Sequence, residues 1–185
     1  MDPTKEQAIV RDTVAWLERA VIGLNLCPFA KAVHVKGQIH IEVTPAREPG
    51  EVLDALDRQV DELLDRSPAE RDTTLLVIPE GPAEFLEFDA IVAAGERLLR
   101  KRKLEGVLQV ASFHPRFEFA GTQPDDITNF TNRSPYPILH LLREDSVERA
   151  VEAVPDAALI YERNMDTLRR LGLEGWNALD VGPSK

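Results

Sequence analysis

The sequence lacks the features that would assign the chain to a secreted, membrane or disulfide-bonded class. Cys27 is its one cysteine, so no internal disulfide can form. Residues 1–10 are charged and contain no basic stretch followed by an apolar run, so we expect no cleaved secretion signal and a cytoplasmic location. No stretch approaches the roughly 20 apolar residues that a membrane helix needs, so we expect no membrane partner.

Positive charge is also scarce. The chain has 22 Lys and Arg against 32 Asp and Glu, and its formal net charge of -10 argues against nucleic acid as a partner. Motifs for dinucleotides, phosphate loops, zinc proteases and nucleophile elbows are missing. The four histidines stand at no recognised metal-ligand spacing. We therefore expect no cofactor and no metal.

What is present suits one α/β domain over residues 1–185. Hydrophobic residues make up 43% of the chain and charged residues 29%, as in ordinary globular proteins. Apolar spacing predicts helices over 5–24, 52–64 and 84–101, which alternate with strands over 38–44, 75–78 and 107–111. Such alternation favours a mostly parallel sheet of three or four strands flanked by helices. His40 is expected to face away from the core, and the strand over 75–78 to be central.

The carboxyl-terminal part allows two interpretations. Residues 138–143 fit a fourth strand, because residues 145–148 resemble the start of a helix. A single helix over 136–154 is the alternative. The last helix is expected over 155–171, ended by Gly172. The residues expected to face inward from it are Ala158, Tyr161, Met165 and Leu168.

The densest group of polar side chains lies in residues 112–144, where they interrupt an apolar pattern among prolines and aromatics. His114 follows the third strand at its carboxyl end, the edge where open α/β sheets bind ligands. Pro115 restricts its backbone, and an imidazole with a pKa near 6.5 can serve as general base, general acid or metal ligand. The alternative is a histidine that closes the end of a strand by hydrogen bonding.

Two further groups could act with His114. Cys27 follows the first helix, and it is either an inert core residue or a nucleophile whose pKa a neighbouring His or Arg lowers. Asp125 and Asp126 follow Pro124 in a sequence that resembles a helix entry. One carboxylate could cap that helix while the other orients His114 or holds a cation.

Residues 132–135 resemble an anion-binding loop. The planar fork of Arg133 can grip a carboxylate or phosphate, with Asn132 beside it. The alternative is an arginine that pairs with a nearby carboxylate and fastens the loop. In a fourth strand, His140 and Arg143 would face opposite ways, His140 as a ligand candidate and Arg143 as an ion-pair partner.

Three separate segments of the chain resemble those of a known family. They are Leu26-Cys27-Pro28-Phe29-Ala30, His114-Pro115 with Phe119-Ala120-Gly121, and Asn132-Arg133-Ser134-Pro135-Tyr136-Pro137 through His140-Leu141-Leu142-Arg143-Glu144. On these segments the chain resembles the bacterial domain-of-unknown-function 1415 family over nearly its whole length. The resemblance implies a compact single-domain bacterial protein, brings no substrate or activity, and joins Cys27 to the later cluster in one pattern.

We expect a pocket formed by the Cys27 loop, the end of the third strand and the loop over 125–135, in an enzyme that acts on a small anionic metabolite. His114 would transfer protons, and Arg133 would bind the anion. The residues assigned are His114, Cys27, Asp125 and Asp126 for catalysis, and Asn129, Asn132, Arg133, Ser134 and Arg143 for substrate binding. The first alternative is a non-catalytic module that binds an anion or a protein carboxylate. The second is a metal-binding protein with His114, His140 and an Asp as ligands.

Overall fold

Four strands form the central sheet of the computed structural model, which describes residues 1–152 and 159–184. The strands are β1 (Ile39–Val43), β2 (Thr73–Val77), β3 (Leu108–Phe113) and β4 (Ile138–Arg143), in the spatial order β1-β2-β4-β3. β2 is central and buried along its whole length, as its apolar character on both faces predicted. On the edge strand β1, the side chain of His40 is 39% exposed, but it lies beside Thr74 on the face that α3 and α4 cover, so its predicted direction away from the core is not confirmed.

The sheet is mixed, which corrects the prediction of a mostly parallel sheet. β1 and β2 pair in parallel, as the helix between them predicted. β4 lies between β2 and β3 and is antiparallel to both, so β3 runs in the direction of β2 without being its neighbour. A helical crossover constrains the direction of the next strand. β4 instead follows a long loop, which allows it to enter the sheet between two earlier strands in either direction.

Helices cover both faces of the sheet. They are α1 (Pro3–Trp16), continued by a π-helix over Leu17–Ile22, then α2 (Ala30–Val35), α3 (Pro49–Leu64), α4 (Phe85–Lys101), a 3-10 helix over Ile127–Asn132, α5 (Glu144–Glu152) and α6 (Ile160–Ala178). The predicted helices at α1, α3 and α4 are confirmed. α2 was not predicted, because six residues are too few to display a helical period. Within the described ranges, no helix is both long and apolar enough to cross a membrane.

α3 and α4 cover one face of the sheet. The buried residues of α3 recur at helical spacing, so they form one apolar stripe: Val52, Leu56, Val60 and Leu63. This stripe packs with Phe88 of α4 against Leu76, Leu139 and Leu141 of the central strands. The inward direction of these helices follows from the sequence pattern alone.

α1 and the π-helix cover the other face, and α6 packs mainly on the 3-10 helix. Trp16 is 2% exposed, and its ring meets that of Phe113 edge-on at a centroid distance of 5.0 Å. Its Nε1 donates to the carbonyl oxygen of Arg133 at 2.8 Å, so α1 is tied to the loop that precedes β4. Asp2 caps α1 by accepting a hydrogen bond from the backbone N–H of Thr4 at 2.9 Å.

The carboxyl-terminal elements agree with their prediction in part. β4 is a strand and α5 begins at Glu144, so the alternative of one helix over 136–154 is wrong. Gly172 has the non-helical angles φ 67° and ψ 173°, so it ends the first helical run of α6, as predicted, and a second run continues beyond this kink to Ala178. Leu168 is buried as expected, whereas Tyr161 is 49% exposed, which corrects its predicted inward direction. The predicted start at Pro155 and the inward-facing Ala158 lie outside the described residues.

Candidate functional site

A cavity of about 520 Å³ lies on the face of the sheet that α1 covers. Leu75, His140 and Ala111 lie side by side on β2, β4 and β3, and together they form part of its floor. Its remaining wall is mostly apolar: Trp16, Leu17, Val21, Pro28, Phe29, Ala30, Ala32, Val33, Ile39, Phe113, Leu142, Val147 and Ala150. The volume falls within the range of about 300–1,000 Å³ that is typical of sites for small ligands.

The cavity extends along the face of the sheet from the amino ends of β2 and β3 to Phe113, the last residue of β3, so it reaches well beyond the end where we expected the site. Thr73 is the first residue of β2 and Gln109 the second of β3, so these polar groups mark the amino ends of the strands. The prediction had used the carboxyl end of β3, where His114 follows. Ligands bind at carboxyl ends where neighbouring parallel strands leave a crevice between them. Here β4 fills the space between β2 and β3.

His140 is the histidine of this cavity. Its Nε2 lies 2.6 Å from Oγ1 of Thr73, and that oxygen lies 2.5 Å from the carbonyl oxygen of Leu141. The imidazole is tilted against the ring of Phe113 at a centroid distance of 6.0 Å. Burial lowers the pKa of His140 to about 4, because the charged form loses its hydration. The imidazole is therefore neutral at pH 7.

Cys27 lines the same cavity from the segment between the π-helix and α2. Burial raises the pKa of its thiol, although hydrogen bonds from the backbone N–H groups of Phe29 and Ala30 act in the opposite direction. The thiol is thus protonated at pH 7. The predicted lowering of the Cys27 pKa by a histidine or arginine is not observed, and His114 and Arg133 are not among the described residues that line this cavity.

Arg143 and Asp72 lie where the cavity meets the end of α3. The Nη2 of Arg143 donates to the carbonyl oxygens of Leu63 at 2.5 Å and Arg66 at 2.7 Å, so its guanidinium fastens the end of α3 to β4. Its Nε has no hydrogen-bond partner among the described residues. Asp72 accepts a hydrogen bond from Oγ of Ser146 at 2.6 Å. These contacts give Arg143 a structural role, and because it also lines the cavity, its predicted substrate contact stays a prediction.

The geometry of His114 does not support its predicted role in proton transfer. The residue is 1% exposed, and its ring stacks on Phe88 of α4 at 5.2 Å. Its Nε2 donates to the carbonyl oxygen of Pro82 at 3.0 Å, and its Nδ1 accepts from the backbone N–H of Arg116 at 3.0 Å. Both ring nitrogens are therefore occupied by backbone groups. His114 closes the end of β3 by hydrogen bonding, which was the alternative interpretation.

The predicted carboxylates do not orient His114. Oδ1 of Asp126 accepts from the backbone N–H of Thr128 at 2.9 Å and caps the 3-10 helix. Hydrogen bonds from the backbone N–H and from the hydroxyl of Thr128 hold the pKa of Asp126 below its usual value. Asp125 is exposed. The helix entry predicted at this point is confirmed, with Asp126 as its capping residue.

Asn129 organises the loop between β3 and β4. The residue is fully buried. Its Oδ1 accepts from the backbone N–H of Phe119 at 3.0 Å and from Oγ1 of Thr122 at 2.7 Å, and its Nδ2 donates to the carbonyl oxygen of Gln123 at 2.8 Å. All the polar atoms of this side chain are engaged within the loop. The predicted role of Asn129 in substrate binding therefore has no geometric support.

The residues of the predicted anion loop also make internal hydrogen bonds. Nη2 of Arg133 donates to the carbonyl oxygen of Pro124 at 2.5 Å, and its guanidinium carbon lies 4.1 Å from the centre of the Phe130 ring. Asn132 donates to the carbonyl oxygen of Ser112 at 3.2 Å. Arg133 fastens the loop, as the alternative proposed, but through a carbonyl group and a ring where a carboxylate was expected.

A smaller pocket, of about 190 Å³, lies at the carboxyl end of β3. Arg133 and Ser134 line it together with Trp16 and Trp176. The hydroxyl of Ser134 donates to the carbonyl oxygen of Tyr136 at 2.5 Å. The end of the third strand and the 125–135 loop thus meet at one pocket, as predicted, while Cys27 is not among its described lining residues.

The predicted metal ligands do not meet. His114 packs against α4 on one face of the sheet, and His140 lies in the cavity on the other face. In the part of the chain that the structure describes, no group of three or more His, Cys, Asp or Glu side chains could hold a metal ion.

The family follows from a comparison with protein-family models. The model described as "Protein of unknown function (DUF1415)" matches residues 8–178, which is most of the chain. The chain belongs to the DUF1415 family. This confirms the resemblance found in the three sequence segments. No curated protein and no solved structure matches the chain.

In this DUF1415 protein, sequence reasoning missed Thr73 and Gln109 as cavity residues. The signal that could have found them is strand alternation, which places Thr73 on the face of Leu75, and Gln109 on that of Ala111. Alternation identifies the shared face within each strand. It does not show that β4 brings His140 between these strands.

Proposed function

We propose that this protein binds a small, largely apolar and uncharged molecule in the cavity that Cys27 and His140 line. The observation that carries the proposal is a cavity of about 520 Å³ with an apolar wall, into which adjoining strands direct a few polar groups. An apolar cavity with a small number of placed polar groups is the usual composition of a site for a small ligand.

The electrostatics of the cavity favour an uncharged ligand. The imidazole of His140 and the thiol of Cys27 are neutral at pH 7, because burial lowers the pKa of the former to about 4 and raises the pKa of the latter. Arg143 is the one cation among the described lining residues, and its guanidinium is already bonded to backbone carbonyls. Bonds to neutral carbonyls leave the guanidinium charge in place, but Asp72 lines the same cavity, so an anion would lose its hydration there without an excess of positive charge to offset the cost.

The enzyme predicted from the sequence, acting on a small anionic metabolite by acid-base or thiol chemistry, is our second proposal. A protonated thiol is a poor nucleophile, and an imidazole with a pKa near 4 is a weak base at pH 7. For this reason we place binding ahead of catalysis. The bacterial source and the cytoplasmic location stay predictions.

Titration with N-phenyl-1-naphthylamine tests the leading proposal, because this dye is uncharged, mostly apolar and brighter in apolar surroundings. We expect saturable binding at one site per chain. Ala150→Phe adds a ring to α5 at a residue that lines the cavity, so it should fill part of the space. We expect that variant to bind the dye about tenfold more weakly, a change of about 1.4 kcal/mol.

Val151→Phe is the matched control. Val151 is the next residue of α5, is 42% exposed and is not among the described lining residues, so the variant should bind the dye as the wild-type protein does. Absence of saturable binding, or equal loss in both variants, would contradict the proposal. Inorganic phosphate should leave the dye in place. Displacement of the dye by phosphate would favour the anionic alternative.

A further inference from the structure

The hydroxyl of Thr73 determines which nitrogen of His140 carries the proton. Oγ1 of Thr73 lies 2.5 Å from the carbonyl oxygen of Leu141 and 2.6 Å from Nε2 of His140. A carbonyl oxygen can only accept, so the single hydrogen of the hydroxyl is donated to Leu141. The hydroxyl oxygen must then accept the hydrogen bond from Nε2–H. The imidazole is thereby held in the Nε2-protonated tautomer.

The other nitrogen of His140 is an acceptor available to the cavity. A neutral imidazole carries one proton, so Nδ1 has a free lone pair. Within the described part of the chain, Nδ1 makes no hydrogen bond and is not sealed from solvent. Leu75 and Ala111 flank His140 in the sheet, and their side chains have no donor. The acceptor thus lies in an apolar part of the floor without a partner.

We infer that the ligand is a molecule with a hydroxyl or N–H group on an otherwise apolar frame, and that this group donates a hydrogen bond to Nδ1 of His140. The inference rests on the proposed function, because it assigns the chemical class of the ligand for the same cavity. A ligand that brings a donor satisfies the acceptor. One that lacks a donor displaces water from Nδ1 and leaves it unpaired, which weakens binding.

The other titratable groups of the cavity do not take over this role. Asp72 is engaged by the hydroxyl of Ser146, and Nη2 of Arg143 by the carbonyls at the end of α3. Nε of Arg143 has no partner among the described residues, but it is a donor and cannot act as the acceptor. The thiol of Cys27 is protonated, and the described contacts include no hydrogen bond between it and His140. Nδ1 of His140 therefore stays unprotonated and able to accept a hydrogen bond at pH values above about 5, because the imidazole stays neutral.

Two naphthalenes that differ in one donor test the inference. 1-Naphthol carries a hydroxyl, and in 1-methoxynaphthalene a methyl group replaces the hydroxyl hydrogen. In displacement of N-phenyl-1-naphthylamine, we expect wild-type protein to bind 1-naphthol about tenfold or more tightly than the ether. His140→Phe removes the acceptor and keeps an apolar ring, so it should bind the two compounds within about twofold of each other.

Nitrogen-15 NMR of the His140 ring supplies a readout that does not depend on that variant folding. The wild-type protein should show the Nε2-protonated tautomer at pH 7, and Thr73→Val, which removes the acceptor of Nε2–H, should shift the tautomer population. If the dye binds but the two naphthalenes bind equally, or if Nδ1 carries the proton, the inference is overturned and the proposed function stands. If neither the dye nor 1-naphthol binds, both fail.

Discussion

His114 and Asn129 show at the scale of single residues why reactive side chains in a dense cluster did not form a site. Both are buried, and their polar atoms hydrogen bond to backbone groups and a threonine hydroxyl in or beside the loop between β3 and β4. Such a loop has few regular partners for its own N–H and C=O groups, and buried backbone groups need partners. Here histidine and asparagine, two residue types that often serve catalysis, supply those hydrogen-bond partners.

His140 leads to a prediction about pH. Its pKa is about 4 in the folded protein and near 6.5 in an unfolded chain, so the unfolded chain binds a proton first as the pH falls. The stabilisation is complete above pH about 6.5 and is lost as the pH falls toward about 4. The free energy of unfolding should drop by at most about 3 kcal/mol across that interval from this residue. Urea titrations at several pH values measure it.

His140→Gln is the control for this effect, because its amide can still donate to Thr73 but does not titrate. Between pH about 4 and 6.5, the free energy of unfolding of the variant should change less steeply with pH than that of the wild-type protein. The difference in slope should correspond to at most one bound proton. Carboxylates and His114 titrate in both proteins, so their contribution cancels in the difference. Identical pH profiles for the two proteins would show that His140 is not buried as described.

The secondary-structure elements divide into those whose position was predictable and those whose position was not. α3 and α4 were predicted because their apolar residues recur with a helical period, and β2 because it is a short run that is apolar on both faces. β4 was one of two interpretations of its segment, the other being a helix, and its place as the antiparallel neighbour of β2 and β3 was not predicted. The spacing of apolar residues depends on neighbours along the chain, whereas the place of a strand in a sheet depends on contacts between residues that are distant in sequence.

Gly172 provides a prediction at the scale of an element. It bends α6 at a φ of 67°, and a side chain added there would meet no atom within 4 Å. Gly172→Ala should therefore destabilise the protein through backbone strain alone, by about 1–3 kcal/mol, as measured by urea unfolding.

Gly50→Ala is the matched control for Gly172→Ala. Gly50 lies in the first turn of α3, and an added Cβ would also meet open space. Alanine favours a helix over glycine, so this variant should be neutral or up to about 1 kcal/mol more stable. If both variants changed stability in the same direction, the bend at Gly172 would not require glycine.

At the scale of the whole molecule, Asp12 joins three distant parts of the chain. It lies on α1 and is 7% exposed. Its carboxylate accepts from the hydroxyl of Tyr136 at 2.7 Å, in the loop before β4, and from the backbone N–H of Ser184 at 2.8 Å, near the carboxyl end. Burial raises the pKa of Asp12, but the hydrogen bonds from Ser184 and Tyr136 outweigh it and leave the pKa below its usual value.

Loss of this carboxylate should destabilise the whole fold. Asp12→Ala leaves a partly buried hydroxyl and a backbone N–H without their charged partner, and we expect a cost of about 2–3 kcal/mol in urea unfolding. Tyr136→Phe should cost less, about 1 kcal/mol, because the carboxylate keeps the bonds from Ser184. The two variants share one hydrogen bond, so the double variant should cost less than their sum. Strict additivity would refute the coupling.

The amino-acid sequence by itself determined the class of fold, most of the elements and the faces that α3 and α4 present to the core, because these follow from the local spacing of apolar residues. Only the tertiary structure decided that β4 enters between β2 and β3 and so places His140 beside Leu75 and Ala111 in one cavity. It also decided that burial makes His140 neutral while backbone contacts occupy His114. Burial and hydrogen-bond partners are set by residues far apart in the chain, and no local pattern encodes them.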